Sequence, residues 1–226
     1  FICPLPTESL CVVDALGYYD VANRFQNAAF SLSSFEDGTL INYILKRLNI
    51  KPLIAETGGT VTDYTLDLAR QFGFKTFFFA GYDLSYPDLV THCKNAPSWT
   101  SRIANSDYFT VIEDSMLKAI FNRRFQEAAA ANGNKVITDF VMDNYRNYLE
   151  YYLNSADDCN FFSASANAVK IDGVKYQALD MLLQDYPESK RIQHENLNTE
   201  KRYVKIEEID RLFSKMLSEL YEYSQQ

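Results

Sequence analysis

The sequence predicts an α/β fold with a parallel sheet, followed by a mainly helical C-terminal region. The strongest observation is the apolar run KTFFFA at residues 75–80, which directly follows an amphipathic helix over 61–72. A continuous apolar strand after a helix is typical of a parallel sheet that is covered on both faces. We expect an α/β core over residues 1–113 and a mainly helical part over 114–226 that packs on it.

The first half of the chain alternates strands and helices. Segments 9–15 and 28–32 are short, rich in β-branched or apolar residues and bounded by polar ones, which predicts buried strands. A helix is expected from Ser33 or Ser34 to Asn49, because apolar residues then recur at helical spacing (Leu40, Ile41, Ile44, Leu45, Leu48). After the strand at 75–80, residues 81–99 are expected to form a long loop at its carboxyl end, where open α/β sheets bind ligands.

The second half is predicted to be mostly helical. A strand is expected at 108–112 and a helix at 114–131, which the Asn132-Gly133 pair would close. Another helix begins after Asp139. A strand and loop occupy 161–171, with a turn at Asp172-Gly173. Residues 184–205 read as a linker, and a last amphipathic helix over 205–223 is expected either to pack on the sheet or to form a dimer surface.

Composition excludes several classes of protein. The 226 residues carry a net charge of −8, which disfavours nucleic acid as a partner because such binding depends on Lys and Arg meeting phosphate. The chain has no apolar run of membrane-spanning length. Its four cysteines include no CxxC pair, so we expect reduced thiols and a cytoplasmic protein.

The first candidate site is the Thr57–Thr62 segment, at the start of the helix over 61–72. Gly58 and Gly59 allow the backbone to approach a ligand closely, and a helix start offers unpaired N–H groups to a phosphate or carboxylate. Thr60 and Thr62 add hydroxyl groups. The alternative is a plain Gly-Gly turn with a threonine N-cap.

The second candidate site is the loop after the strand at 75–80. Asp83 is placed to hold a ribose hydroxyl or a cation, Tyr86 to stack on a base, and His92 to act as a general base or to neutralise phosphate. Asp88 and Thr91 complete the polar set. The alternative is a polar loop with an Asx turn at Asp83. We predict no metal site, since His92 and Cys93 have no further ligands at suitable spacing.

Together these segments resemble a known family. GGTV at 58–61 with LDLAR at 66–70, then FAGYDLSY at 79–86 and TH at 91–92, are similar to the Maf (motility-associated factor) glycosyltransferase-like family. That family includes the archaeal 6-hydroxymethylpterin diphosphokinase-like proteins. VIT at 136–138, the tyrosine-rich segment 145–150 and NAVKIDG at 167–173 resemble its later blocks, so the likeness spans about residues 52–183.

The resemblance implies a Rossmann-like fold related to bacterial sialyltransferases. It implies transfer of a nonulosonic, sialic-acid-like sugar from a CMP-activated donor to a serine or threonine of flagellin or another protein. By this likeness six residues line the site (Gly58, Gly59, Thr60, Asp83, Tyr86 and His92), and we assign the catalytic roles within it to Asp83 and His92. The nucleotide- and substrate-binding residues are then Gly58, Gly59, Thr60, Thr62, Tyr86, Asp88 and Thr91. The CMP-sugar is the donor substrate, and the resemblance names no certain cofactor.

Two alternatives stay open. The pterin branch implies transfer of diphosphate from ATP with Mg²⁺, and a catalytically silent relative would act as a binding or assembly module, which includes a homo-oligomer. The sequence also departs from the family in two places. Its late block SASANA at 163–168 lacks the usual glycines, and its start lacks the family's first strand and glycine loop, so we expect an upstream segment.

Overall fold

The structure, a computed structural model, describes residues 10–15, 17, 21, 23–25, 27–36, 39–93, 96–109, 111–185 and 206–224. It confirms a mixed α/β fold with parallel sheets. The chain divides into two compact units, one formed by the described parts of 1–57 and 190–226 and the other by those of 58–189. The domain boundary expected near residue 113 stays a prediction.

The first unit contains a three-stranded parallel sheet. Strands β1 (Leu10–Asp14), β2 (Asn27–Ser33) and β3 (Leu53–Ala55) lie in that order, so both strands predicted here are confirmed. A 3-10 turn at Ser34–Glu36 precedes helix α1 (Leu40–Arg47), which is shorter than expected. The last helix of the chain, α7, spans Ile206–Ser224, as its apolar periodicity predicted.

The second unit contains another parallel sheet. Strands β4 (Thr76–Phe79), β7 (Asn160–Ser163) and β8 (Lys175–Tyr176) lie in the order β4-β7-β8. Phe77 pairs with Phe161 across the first two strands, and their rings stack at 5.3 Å. Because β4 and β7 are parallel, the loops after these two strands leave the same edge of the sheet.

Helices α2 (Val61–Gln71) and α5 (Phe140–Asn154) supply the rest of this unit's core. Leu66 of α2 packs with Leu149 and Leu153 of α5 and with Phe79 and Phe161 of the sheet. Burying such side chains contributes about 1.5–3 kcal/mol each. This packing fixes the start of α2 against the body of α5.

The other elements surround this core. They are a 3-10 turn at Pro87–Leu89, helices α3 (Pro97–Ala104), α4 (Ile112–Phe121) and α6 (Leu179–Asp185), and an antiparallel hairpin of β5 (Phe125–Ala129) and β6 (Lys135–Asp139). Gly173 has φ +88° in the turn predicted at Asp172-Gly173. In the described residues no helix has the length and apolarity needed to cross a membrane.

The helix predicted over 114–131 is wrong in its second half. Helix α4 ends at Phe121, and β5 then pairs with β6 across a turn in which Gly133 N–H donates to the Ala130 carbonyl at 3.0 Å. Asn-Gly at residues 132–133 is a strong hairpin signal, here interpreted as a helix end. Strand pairing outweighs the helix propensity of the alanine run at 128–131.

The strand predicted at 108–112 is also wrong where the structure describes it. Tyr108 and Phe109 lie in an irregular segment, 92% and 87% exposed, and Ile112 begins α4. Helix α3 begins at Pro97 inside the segment expected to be a loop, because proline is well placed in a first helical turn. Most of the linker predicted at 184–205 lies outside the described residues, and its first two residues end α6.

Candidate functional site

The start of α2 is closed by its own N-cap. The Thr60 side chain accepts a hydrogen bond from the Asp63 N–H at 3.1 Å, and Gly59 turns the chain with φ +107°. The threonine N-cap that the sequence offered as an alternative is therefore present. The Asp63 N–H, one of the groups expected to be free for a phosphate, already has a partner.

Gly58 has a packing reason for its identity. A Cβ built on Gly58 would lie 2.2 Å from Cδ1 of Tyr148, a distance that no carbon pair tolerates, whereas one on Gly59 would lie 3.3 Å from Tyr145. The two-glycine turn thus lies directly beneath the tyrosines of α5. Tyr152, one turn further along α5, donates its hydroxyl hydrogen to Asp67 at 2.7 Å. This tyrosine stripe therefore packs against α2 and the turn before it.

Asp63 is the residue of this corner that sequence reasoning missed. It is only 2% exposed, and its Oδ1 accepts a long hydrogen bond of 3.4 Å from the Tyr82 hydroxyl. Its Oδ2 is buried and has no partner in normal hydrogen-bond geometry among the described residues. Burial raises the pKa of the Asp63 carboxyl, and hydrogen bonds with Thr60, Tyr82 and the Gly58 backbone offset it only in part. The Thr-x-x-Asp spacing, a capping-box pattern, was the available signal.

The loop after β4 is tied to the loop after β7. The Gly81 N–H donates to Ser165 Oγ at 3.3 Å, and the Val169 N–H donates to the Asp83 carbonyl at 2.8 Å. Ser85 Oγ donates to the Asn167 carbonyl at 3.1 Å. Together with the Tyr82 contact to Asp63, these bonds bring three sequence segments, 58–63, 79–86 and 163–169, to one edge of the β4-β7-β8 sheet. We call this the carboxyl edge.

Asp83, proposed as catalytic, lies at the carboxyl edge with its side chain half-buried. Its carboxylate makes no hydrogen bond or ion pair to another described residue. Thr62 and Thr91 are half-buried, and Asp88 and His92 are exposed. The contacts of the described residues do not join Thr91 or His92 to Asp63 or Asp83, so their part in a common site stays a prediction.

Tyr86 lies in the interior instead of offering a ring to a ligand. It is 4% exposed, and its hydroxyl donates to the Asp139 carboxylate, which also accepts from Arg123 at 3.1 Å. Burial and the Asp139 contact raise the pKa of Tyr86 to about 12. Burial alone would raise the pKa of Asp139, but hydrogen bonds from Tyr86, Met142 N–H and Arg123 outweigh it and lower that pKa. This placement gives no support to the base-stacking role predicted for Tyr86.

The same loop holds its backbone in uncommon conformations. Leu84, Asp88 and Leu89 have φ values of 49°, 51° and 58°, a region that costs a non-glycine residue roughly 1–2 kcal/mol. Bonds to β6 keep the loop in place: the Tyr86 N–H donates to the Ile137 carbonyl at 2.8 Å, and Thr138 Oγ1 donates to the Leu84 carbonyl at 2.7 Å. Strained backbone of this kind is concentrated at functional sites in proteins.

Metal-ligating side chains do not gather in groups of three within the described residues. Cys11, Cys93 and Cys159 are free thiols, and Cys3 lies outside the described residues. Comparison of the chain with protein-family models, with curated proteins and with solved structures finds no match. A function for this chain therefore has to be inferred from the contacts at the carboxyl edge and from the sequence motifs that meet there.

Proposed function

We propose that this chain is a glycosyltransferase-like domain of the Maf type, with a Rossmann-like, sialyltransferase-like core, that binds a CMP-activated nonulosonic sugar at the carboxyl edge. One observation carries the proposal. Segments 58–63 and 79–86, which hold the GGTV and FAGYDLSY motifs, contact each other through Tyr82–Asp63, and segment 163–169, where the family's late block lies without its usual glycines, contacts the second through Gly81–Ser165 and Asp83–Val169. Ligands of open α/β sheets bind at this position, outside the carboxyl ends of the strands.

The side chains that remain without partners suit a donor substrate. The half-buried Asp83 carboxylate keeps both oxygens available for ligand hydroxyls, since it has no hydrogen bond or ion pair to another described residue. The exposed His92 imidazole is available for proton transfer. These groups supply orientation and a base without requiring a metal ion.

The proposed reaction is a displacement at the anomeric carbon of the sugar. The oxygen of an acceptor serine or threonine hydroxyl forms a bond to that carbon, and the anomeric C–O bond to CMP breaks, with its electron pair leaving on the phosphate. His92 takes the proton of the acceptor hydroxyl. CMP is the leaving product, and Asp83 holds the donor in position.

Ligand-dependent thermal stability tests the proposal on the full chain. We expect CMP and CMP-N-acetylneuraminate to raise the Tm, because ligand at 100 times its Kd adds about 2.7 kcal/mol, or roughly 5–10 °C for a chain of this size. The Asp83→Asn variant should lose most of this shift. Asp180→Asn is the matched control, because Asp180 is an exposed acid on α6.

Two other outcomes of the thermal-stability measurement would contradict the proposal. A shift with ATP and Mg²⁺ in place of CMP favours the diphosphokinase alternative. No shift with any nucleotide favours a binding or assembly module.

If CMP binds, release of CMP from CMP-N-acetylneuraminate should fall at least 100-fold in His92→Ala while CMP affinity changes little. Unchanged turnover in that variant would remove His92 from the reaction.

A further inference from the structure

The start of α2 combines two observations that the proposed function does not use. Its N–H groups would ordinarily attract an anion. Yet a carboxyl group of the same helix, Asp63, is already directed at that turn, 98% buried, with Oδ2 lacking a hydrogen-bond partner among the described residues. A buried polar atom without a partner costs about 1–3 kcal/mol, so a ligand that satisfied it would gain free energy.

The charge of the Asp63 carboxylate decides which chemical group of a ligand can bind beside Oδ2. An ionised carboxylate and a phosphate about 4 Å apart repel each other by roughly 4 kcal/mol near a protein surface. Oδ2 of an ionised carboxylate is an acceptor, so its complement is a hydrogen-bond donor. A bound cation is the alternative to a hydrogen-bond donor. A cation site needs several oxygen ligands, and the described residues include no group of three metal-ligating side chains.

We infer that the start of α2 recognises a hydroxyl group of the ligand, which donates its hydrogen to Asp63 Oδ2, and that the phosphate is bound elsewhere. This inference rests on the proposed function, because a CMP-activated sugar carries hydroxyls on both its ribose and its glycosyl ring. It replaces the role predicted for the Gly58–Thr60 amides.

The surroundings of Asp63 are consistent with a ligand arriving from the helix start. Val61, the first residue of α2, is 82% exposed, and Gly59 is exposed beside it. Oδ2 itself is closed to solvent, so binding requires a shift of a neighbouring side chain. Tyr82 donates to the same carboxyl through a hydrogen bond of 3.4 Å, at the long limit for such bonds. This bond therefore holds the Tyr82 side chain only weakly against Asp63.

Calorimetric titration of the full chain tests the inference, with CMP, 2′-deoxy-CMP, 3′-deoxy-CMP and CMP-N-acetylneuraminate as probes. We expect Asp63→Asn to weaken binding at least 10-fold. If the hydroxyl belongs to the ribose, one deoxy analogue binds the wild type at least 10-fold more weakly than CMP and loses nothing more in the variant. If it belongs to the sugar ring, only CMP-N-acetylneuraminate is weakened.

Asp67→Asn is the matched control. Asp67 is a buried carboxyl one turn further along α2, but it is bonded to Tyr152 and Gln71, so its variant should lower stability and leave affinity within twofold. A measurement on the wild type avoids any variant that fails to fold. The ¹³C shift of the Asp63 carboxyl should report a lower pKa when CMP-N-acetylneuraminate is bound, because a donor favours the charged form.

The opposite results overturn the inference. If Asp63→Asn binds all probes as tightly as the wild type, or more tightly, the helix start does not take a hydroxyl. A rise of the Asp63 pKa on binding indicates a phosphate beside it. In either case CMP binding to the wild type would still support the proposed function. If the wild type binds none of the probes, the proposed function and this inference are both wrong.

Discussion

Gly58→Ala separates a packing role for the two-glycine turn from a ligand-binding role. The alanine Cβ would lie 2.2 Å, 2.3 Å and 2.9 Å from three carbons of Tyr148. Gly58 is not among the residues with positive φ, so we expect the cost to come mainly from the clash with the Tyr148 ring. Overpacking of this kind costs about 1–3 kcal/mol, and we expect a Tm lower by roughly 2–4 °C for each kcal/mol.

A double-mutant cycle isolates that contact. Urea unfolding followed by the fluorescence of Trp99, the only tryptophan, gives the free energy of unfolding for Gly58→Ala, Tyr148→Ala and the double variant. In the Tyr148→Ala background Gly58→Ala should cost less than about 0.5 kcal/mol, because the obstructing ring is gone. An equal cost in both backgrounds would refute the packing argument.

Gly59→Ala is the matched control for that cycle. Gly59 has φ +107° and its Cβ would approach only Tyr145, at 3.3 Å, so its cost of about 1–2 kcal/mol comes mainly from the backbone. That cost should be the same with or without Tyr148→Ala. CMP binding by Gly58→Ala/Tyr148→Ala, compared with Tyr148→Ala alone, then tells whether the glycine also serves a ligand: weaker binding with little further loss of stability would assign both roles to it.

Three further substitutions test the framework around the site. Asp139→Asn should destabilise the protein by about 1–3 kcal/mol at pH 7. The pKa of Asp139 is lowered in the fold, so its contribution to stability is present above the unfolded pKa of about 3.9 and is lost as the pH falls through the folded pKa. The free energies of unfolding of wild type and variant, measured in urea, should therefore converge below pH 4. A difference between them that stays constant with pH would contradict this. Tyr152→Phe removes the donor to Asp67 and should cost about 1–3 kcal/mol by thermal unfolding, with an effect that overlaps that of Asp67→Asn; full additivity would contradict the contact. Gly133→Ala should cost about 1–2 kcal/mol in the same assay, since its φ is +86° although the space around it is open; an unchanged Tm would show that the hairpin turn relaxes.

Elements dominated by local pattern were predictable, and elements decided by distant pairing were not. The apolar run at 75–80 predicted β4, and the spacing of apolar residues predicted α7. The segment at 125–129 carries Phe125 and Ala128 at helical spacing, but its partner is the strand at 135–139. Strand pairing is a tertiary interaction, and it overrides intrinsic helix propensity wherever the two conflict.

In the candidate site, too, some placements were predictable from local sequence and others were not. Sequence spacing predicted that the loop after β4 and the Gly-Gly turn line a ligand site, and the structure brings their two segments into contact through Tyr82 and Asp63. The sequence did not predict the burial of Tyr86, because burial of that ring depends on Asp139, 53 residues further along the chain. A tyrosine in a polar loop gives no local signal of such a partner.

The start of α2 shows why a motif must be examined together with the residue three positions after its cap. A Gly-Gly-Thr helix start offers amides to any anion, and sequence alone leaves open whether that anion is a ligand or a side chain. Asp63 supplies a carboxyl from within the helix: its N–H donates to the Thr60 side chain and its carboxylate accepts from the Thr60 backbone, the reciprocal pattern of a capping box. Its remaining oxygen has the opposite requirement from the amides and needs a hydrogen-bond donor. On our inference this helix start binds a hydroxyl, whereas the sequence motifs predict a phosphate there, and the titrations with Asp63→Asn decide between the two.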